Sequence, residues 1–227
     1  MATLSIVGTP IGNLEDITTR ALRVLREADI IVCEDTRVTK RLLNHYKIND
    51  KQLAAYNEQK SGVNIGKILS WFEEGKNLAL VTDAGTPGIS DPGSILVAKV
   101  REKYGDSVKI ESIPGPAALT AAVSISGIPL NEFIFFGFLP HKKGRETLFK
   151  EIAASKRSVI FYESPHRIMK TLQSLVKHVP NRKIVIAREL TKIHEEILSG
   201  LPGELASAFK MKPEKQRGEF VIIVSRD

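Results

Sequence analysis

Leu78-Ala79-Leu80-Val81-Thr82-Asp83-Ala84-Gly85-Thr86-Pro87-Gly88-Ile89-Ser90-Asp91-Pro92-Gly93 is the stretch that decides the fold. Its first four residues form a short apolar run, the pattern of a buried strand. A helical pattern follows over residues 94–104, and the connection between them holds three glycines and two prolines. Glycine admits positive φ and proline fixes φ, so this connection reads as a rigid, shaped backbone at the end of a strand. A strand, a built loop and a helix, in that order, make the unit of a parallel sheet whose ligands bind at the carboxyl ends of its strands. Asp91 as N-cap with Pro92 at the first helical position would explain the second half of the loop but not the first.

The same rhythm extends outward. Strand patterns at residues 4–7, 29–33 and 108–113 alternate with helical ones at 18–27, 37–46, near 63–74 and from about 117 to just before Gly127, with a polar loop around 57–61. A mostly parallel N-terminal domain over residues 1–127 is expected. Gly127-Ile128-Pro129-Leu130-Asn131 interrupts both periods and reads as a linker, which opens a second domain over residues 128–227. There, strand patterns at 133–138, 158–162, 183–187, 193–198 and 219–224 surround helical ones at 144–155, 166–178 and 204–211, as in a mixed sheet. The class is α/β, with two α/β domains.

At 227 residues, 42% hydrophobic and 26% charged, the chain can bury real cores. Its start has no basic region followed by an apolar stretch, and no window reaches the roughly 20 apolar residues of a membrane span, so a cytoplasmic protein is expected. Cys33 is the only cysteine. That excludes a disulfide framework and a thiolate zinc cluster, and Cys33 reads as a small strand hydrophobe. The five histidines, His45, His141, His166, His178 and His194, lack the spacing of a metal site, and no metal is expected. Residues 1–130 balance 15 Lys/Arg with 15 Asp/Glu, whereas residues 131–227 carry 18 against 11, so the whole net charge of +7 lies in the second half. A polyanionic partner or a merely solvated surface would both suit it.

Three further loops share the character of the first. Gly8-Thr9-Pro10-Ile11-Gly12-Asn13 follows the first strand and matches neither Gly-x-Gly-x-x-Gly nor Gly-x-x-x-x-Gly-Lys-[Ser/Thr], which disfavours an ordinary nucleotide cradle. Ile113-Pro114-Gly115-Pro116-Ala117-Ala118 joins a strand to a helix through small residues that would let a flat ligand approach. Phe161-Tyr162-Glu163-Ser164-Pro165-His166-Arg167 closes a second-domain strand with an aromatic ring and a carboxylate.

In the order GTPIGNLEDIT (8–18), CEDTR (33–37), DAGTPGISDPG (83–93), PGPAALTAA (114–122), FFGFLP (135–140), YESPHR (162–167) and ARELTKIHEE (187–196), the chain resembles the ribosomal RNA small subunit methyltransferase I family of the tetrapyrrole-methylase superfamily. The resemblance covers essentially the whole chain. It implies the tetrapyrrole-methylase fold, two α/β domains with S-adenosylmethionine in the cleft between them, a homodimer, and transfer of a methyl group to a cytidine ribose 2′-oxygen in the decoding region of 16S ribosomal RNA. Carried over by motif, the cofactor contacts are Pro10, Asp83, Gly85, Thr86, Pro87, Gly88, Ile89, Ala117, Ala118, Tyr162 and Ala187. The chain stops at Asp227, whereas several relatives continue with a helical tail.

A ribose hydroxyl is a poor acid, so a base is wanted. The candidates are Glu34, Asp35, Glu163 and Glu189. Asp35 also reads as a helix N-cap, Glu34 as an ion-pair partner of Arg37, and Glu189, between Arg188 and Lys192, as a strand-end salt bridge. For RNA phosphates of the small ribosomal subunit the candidates are Lys142, Lys143 and Arg145 in a basic turn, with His166 and Arg167. The same fold would also serve a methylase of a corrin precursor or of a protein, and a non-catalytic ribosome-binding module would suit the basic half equally.

Overall fold

The computed structural model describes residues 1–56 and 61–226, with the backbone alone for residues 61–64. The polar loop expected at 57–61 therefore falls mostly outside the described residues. The chain forms two compact units, Met1–Ala117 and Ala118–Asp227.

The first unit runs β1 (Thr3–Val7), α1 (Thr19–Glu27), β2 (Ile30–Cys33), α2 (Thr36–His45), β3 (Gln52–Ala55), α3 (Ser61–Glu73), β4 (Leu78–Leu80), α4 (Gly93–Tyr104) and β5 (Lys109–Ile113). Its sheet is parallel throughout, in the order β3-β2-β4-β1-β5. Apolar runs, rather than alternation, encode it because both faces are covered. Ile30, Val32, Leu78 and Leu80 pack with Trp71, Phe72 and Leu96 on one side. Ile31, Cys33, Ala79 and Val81 pack with Ala21, Leu25 and Leu43 on the other. Cys33 is wholly enclosed, and burial pushes its thiol pKa up, so it serves as a core residue. Strand β3 has no counterpart among the sequence expectations. It is an edge strand whose Gln52 is exposed and whose other residues are half-buried, and its apolar part, Leu53-Ala54-Ala55, is mostly alanine, which has little strand preference.

The second unit runs α5 (Ala118–Ile125), β6 (Phe133–Phe138), α6 (Arg145–Ala154), β7 (Ser158–Glu163), α7 (Ile168–His178), β8 (Ile184–Arg188), β9 (Glu196–Gly200), α8 (Pro202–Met211) and β10 (Phe220–Val224). The order is β6-β7-β10-β8-β9, with β6 parallel to β7 and the other pairs antiparallel. Phe149, Ile152, Leu172, Leu175, Leu205 and Phe209 of α6, α7 and α8 pack on Val159, Phe161, Ile186 and Ile222 of the sheet.

Two expectations need correction. Residues 127–131 do not divide the units. Helix α5 packs against β10 and belongs to the second unit, and Gly127 (φ 64°) merely follows its end. Nor does β9 begin at Ile193, which is 97% exposed. The chain from Glu189 to Glu195 makes successive turns, with Lys192 N–H donating to Glu189 O and Glu195 N–H to Lys192 O, each at 3.0 Å. No helix among the described residues is long and apolar enough to cross a membrane.

Candidate functional site

In the first unit β4, β1 and β5 are neighbours, so the loops that leave their carboxyl ends are neighbours too. They are joined main chain to main chain. Thr9 and Gly85 exchange N–H···O bonds of 2.9 and 3.1 Å, and Gly8 N–H donates to Ile113 O at 3.0 Å. The Thr9 hydroxyl, buried, donates to Thr82 O and Gly85 O, and the Thr86 hydroxyl donates to Pro116 O at 3.0 Å. Gly8 and Gly115 touch through their backbones: a Cβ on Gly8 would lie 2.7 Å from Gly115 Cα, and one on Gly115 would lie 2.9 Å from Gly8 Cα. Two threonines and two facing glycines thus tie three loops of distant sequence into one surface. Gly8, Thr9 and Gly115 were not among the expected site residues; their signal was small residues directly after two strands.

Gly85 (φ 85°) and Gly88 (φ 92°) turn the second loop through left-handed conformations. Gly88 is exposed, whereas Pro10 and Pro87 are buried. Asp91 is not the N-cap of α4, a position taken by Pro92 without a side-chain bond. Its carboxylate accepts from Gly88 N–H (2.9 and 2.8 Å) and Gly93 N–H (2.7 Å), closing the loop on itself. A helix cap was the local reading of Asp-Pro-Gly; the loop's own shape claims the side chain instead.

Three carboxylates gather where β2 and β4 end. Asp83 accepts from Asp35 N–H at 3.0 Å, and Glu34 accepts from the Thr82 hydroxyl at 2.8 Å. Asp35 caps α2 through Arg37 N–H and pairs with the Arg37 guanidinium at 2.6 Å, so the expected Glu34–Arg37 pair is replaced by Asp35–Arg37. Hydrogen bonds from Arg37 hold the Asp35 pKa down at about 2, which makes it a feeble base. Asp83 moves the other way: burial raises its pKa, as does the charge of Glu34, against the Asp35 N–H bond.

In the second unit Tyr162 accepts a 3.2 Å bond from Leu119 N–H in the first turn of α5, and its ring meets those of Phe135 and Phe138 edge-on. Ala187 is enclosed in β8, opposite Val221 on one side and Ile197 on the other. The basic candidates separate. Lys142, Lys143 and His166 are exposed. Arg145 is 5% exposed, donates to Pro140 O and Thr171 Oγ1, and lies 3.6 Å from Glu163. Arg167 pairs with Glu163 at 2.7 Å and donates to Leu139 O at 2.6 Å. Neither guanidinium is presented to a phosphate, and Glu163, fully enclosed by both arginines, the Thr171 hydroxyl and Ser164 N–H, is not placed to take a substrate proton. Among the described residues no three His, Cys, Asp or Glu side chains gather as a metal set.

Residues 3–206 match the family model of the tetrapyrrole (corrin/porphyrin) methylases. A Thermotoga maritima protein named ribosomal RNA small subunit methyltransferase I is 47% identical over 99% of both chains. The chain belongs to the ribosomal RNA small subunit methyltransferase I family of tetrapyrrole methylases. A namesake from Escherichia coli O157:H7 is 45% identical over 97% of this chain and 77% of its own. Solved structures carry the fold further: the methyltransferase CobJ is 20% identical, with a TM-score of 0.71 over 100% of this chain and 95% of its own. Uroporphyrin-III-C-methyltransferase from Thermus thermophilus is 16% identical, with a TM-score of 0.67 over the same shares. The tetrapyrrole-methylase fold, with a parallel first sheet and a mixed second one, is therefore that of this family member.

Glu189 of this family member is built into a turn. It sits at φ 50°, and its Oε1 accepts from Lys192 Nζ and Glu219 N–H, each at 2.9 Å. Gly218 (φ 102°) makes room for it, since a Cβ there would lie 2.4 Å from Glu189 Cγ. Burial raises the Glu189 pKa, but the Lys192 and Glu219 hydrogen bonds and the charges of Lys192 and Arg188 outweigh it, and the net shift is downward. A folded pKa below the unfolded one stabilises the fold above the ordinary carboxylate range of about 4.3, and that stability is lost as pH falls through the folded value. Glu189→Gln is accordingly expected to unfold in less urea than wild type at pH 7, with the gap narrowing below about pH 4; a gap that is the same at pH 3 and pH 7 would remove the ion pair from the explanation.

Proposed function

We propose that the chain transfers a methyl group from S-adenosylmethionine to the 2′-hydroxyl of a cytidine ribose in the decoding region of 16S ribosomal RNA, acting on the small ribosomal subunit as a cytoplasmic homodimer. One observation carries the cofactor reading: three loops pinned backbone to backbone through Gly8, Thr9, Gly85 and Gly115, with no phosphate-binding motif. Such a surface suits a ligand that has an adenine face and an amino-acid end but no phosphate. Pro10, Asp83, Gly85, Thr86, Pro87, Gly88, Ile89, Ala117, Ala118, Tyr162 and Ala187 are the residues proposed to hold it. The names of the relatives and the net +7 of residues 131–227 support the RNA acceptor.

When bound, S-adenosylmethionine would supply an electrophilic methyl group, with its sulfur as the leaving group in the form of a neutral thioether. What the protein does is align the partners, exclude water and take the proton. Rigid loops serve alignment, since a fixed near-attack geometry removes much of the barrier. For the proton, Asp35 is held down by Arg37, Glu189 by Lys192 and Glu219, and Glu163 is enclosed. Glu34, half-buried and bonded to the Thr82 hydroxyl, is the base proposed.

Labelled methyl transfer to small ribosomal subunits, free 16S RNA, protein and corrin precursors tests the reading. Label in the subunits, recovered as 2′-O-methylcytidine after digestion, is expected. Label in a corrin precursor would make the chain a methylase of another acceptor on the same fold, and label in none a binding module. Glu34→Gln should lower kcat about a hundredfold or more while leaving cofactor affinity intact; wild-type turnover would dismiss Glu34.

A further inference from the structure

The carboxyl end of β6 holds an aromatic ring in the open. Phe138 is 55% exposed, although a phenylalanine is ordinarily among the most buried residues. Its exposure is built. The pairing of β6 with β7 shifts register between Phe135 and Phe138, and Gly137 (φ 61°) supplies the left-handed residue of that irregularity. Bulges of this kind re-aim a side chain, and they concentrate beside functional sites. The chain just beyond the ring is then locked. Leu139 O accepts from Arg167 and Pro140 O from Arg145, the two guanidiniums gathered on the enclosed Glu163. Burying two arginines and a carboxylate is costly, and here one N–H of each guanidinium holds one of the two carbonyls that follow Phe138, while the buried Arg145 Nε stays unpaired among the described residues. One edge of the ring meets Tyr162, and the exposed Lys142 and Lys143 lie in the same connection.

We infer that Phe138 is a stacking platform for an unpaired nucleobase of the RNA substrate, with Lys142 and Lys143 contacting the adjoining phosphates. This rests on the RNA reading above and names a residue that fixes the acceptor strand. An aromatic face with flanking cations is how proteins grip single-stranded RNA without reading sequence, because every base has a π-face. Holding a base also holds its sugar, which an in-line displacement at a ribose oxygen requires.

The probe is a single-stranded oligoribonucleotide carrying 2-aminopurine, whose fluorescence falls on stacking, with the full chain as wild type, Phe138→Leu and Phe138→Tyr. Wild type should quench it. Phe138→Leu should weaken binding about tenfold or more and abolish quenching, Phe138→Tyr should restore both, and S-adenosylmethionine affinity should stay unchanged. In methyl transfer to small subunits, KM should rise for Phe138→Leu more than kcat falls. No quenching by wild type, or equal quenching by Phe138→Leu, overturns the inference. So does a Phe138→Leu protein that has only lost its self-association, which would assign the ring to an interface between copies. Failure of wild type to methylate subunits would defeat the RNA-methylation reading instead, since the stacking signal is read without turnover.

Discussion

Gly115→Ala is expected to melt well below wild type and to bind S-adenosylmethionine at least tenfold more weakly. The added methyl would lie 2.9 Å from the C, Cα and O atoms of Gly8. A flexible side chain could swing aside, but these are backbone atoms of a residue whose N–H is bonded to Ile113. Overpacking in a tight site costs about 1–3 kcal/mol, and a clash that only main-chain movement can relieve belongs at the upper end. The displacement would also reach Thr86, whose hydroxyl is bonded to Pro116 O, and so the second loop. Gly66→Ala is the control, because a Cβ there meets nothing within 4 Å and helix α3 gains propensity. Thermal denaturation and calorimetric titration read both variants. If Gly115→Ala melts and binds like wild type, the glycine contact does not shape the site.

Glu163→Ala should be strongly destabilising, on a par with truncating a buried phenylalanine of the second unit. It would leave Arg145 and Arg167, with side chains 6% and 12% exposed, without their shared counter-charge. Removing one partner of a buried ion pair typically costs about 3–5 kcal/mol, because the orphaned charge stays desolvated. It also removes acceptors from the Thr171 hydroxyl and Ser164 N–H. Glu163→Gln keeps shape and a carbonyl acceptor, so it should lose less. Urea unfolding of the full chain separates the two, and a loss below about 1 kcal/mol for Glu163→Ala would mean that solvent reaches the arginines.

The parallel sheet was legible because strands covered on both faces are written as unbroken apolar runs, such as Ile30–Cys33 and Leu78–Leu80. Strand β3 was not, since its apolar part is one leucine and two alanines, and alanine has little strand preference. The loop at 83–93 declared itself through its glycines and prolines, yet Asp91 was misread because a local cap and a closed loop use the same residue types. Arg145 and Arg167 looked like surface cations because charge counting does not register depth. The available signal was Glu163, a carboxylate ending the apolar strand Ser158–Glu163 and four residues before Arg167. Small residues marked the Gly8 and Gly115 loops, but nothing local in the sequence says that these two glycines face each other.

The central place of β10 has a consequence for biosynthesis. Phe220–Val224 lies between β7 and β8, so the middle of the second sheet is made after both strands that flank it. Until it arrives, β6-β7 and β8-β9 are separate two-stranded pieces, each with an unpaired inner edge lined by Ile160 and Phe161 or by Val185 and Ile186. Exposed apolar edges of that kind invite pairing with other chains. A nascent chain halted before Phe220 should therefore be a client for holding chaperones, whereas the first unit, whose five strands are complete by Ile113, can close while synthesis continues.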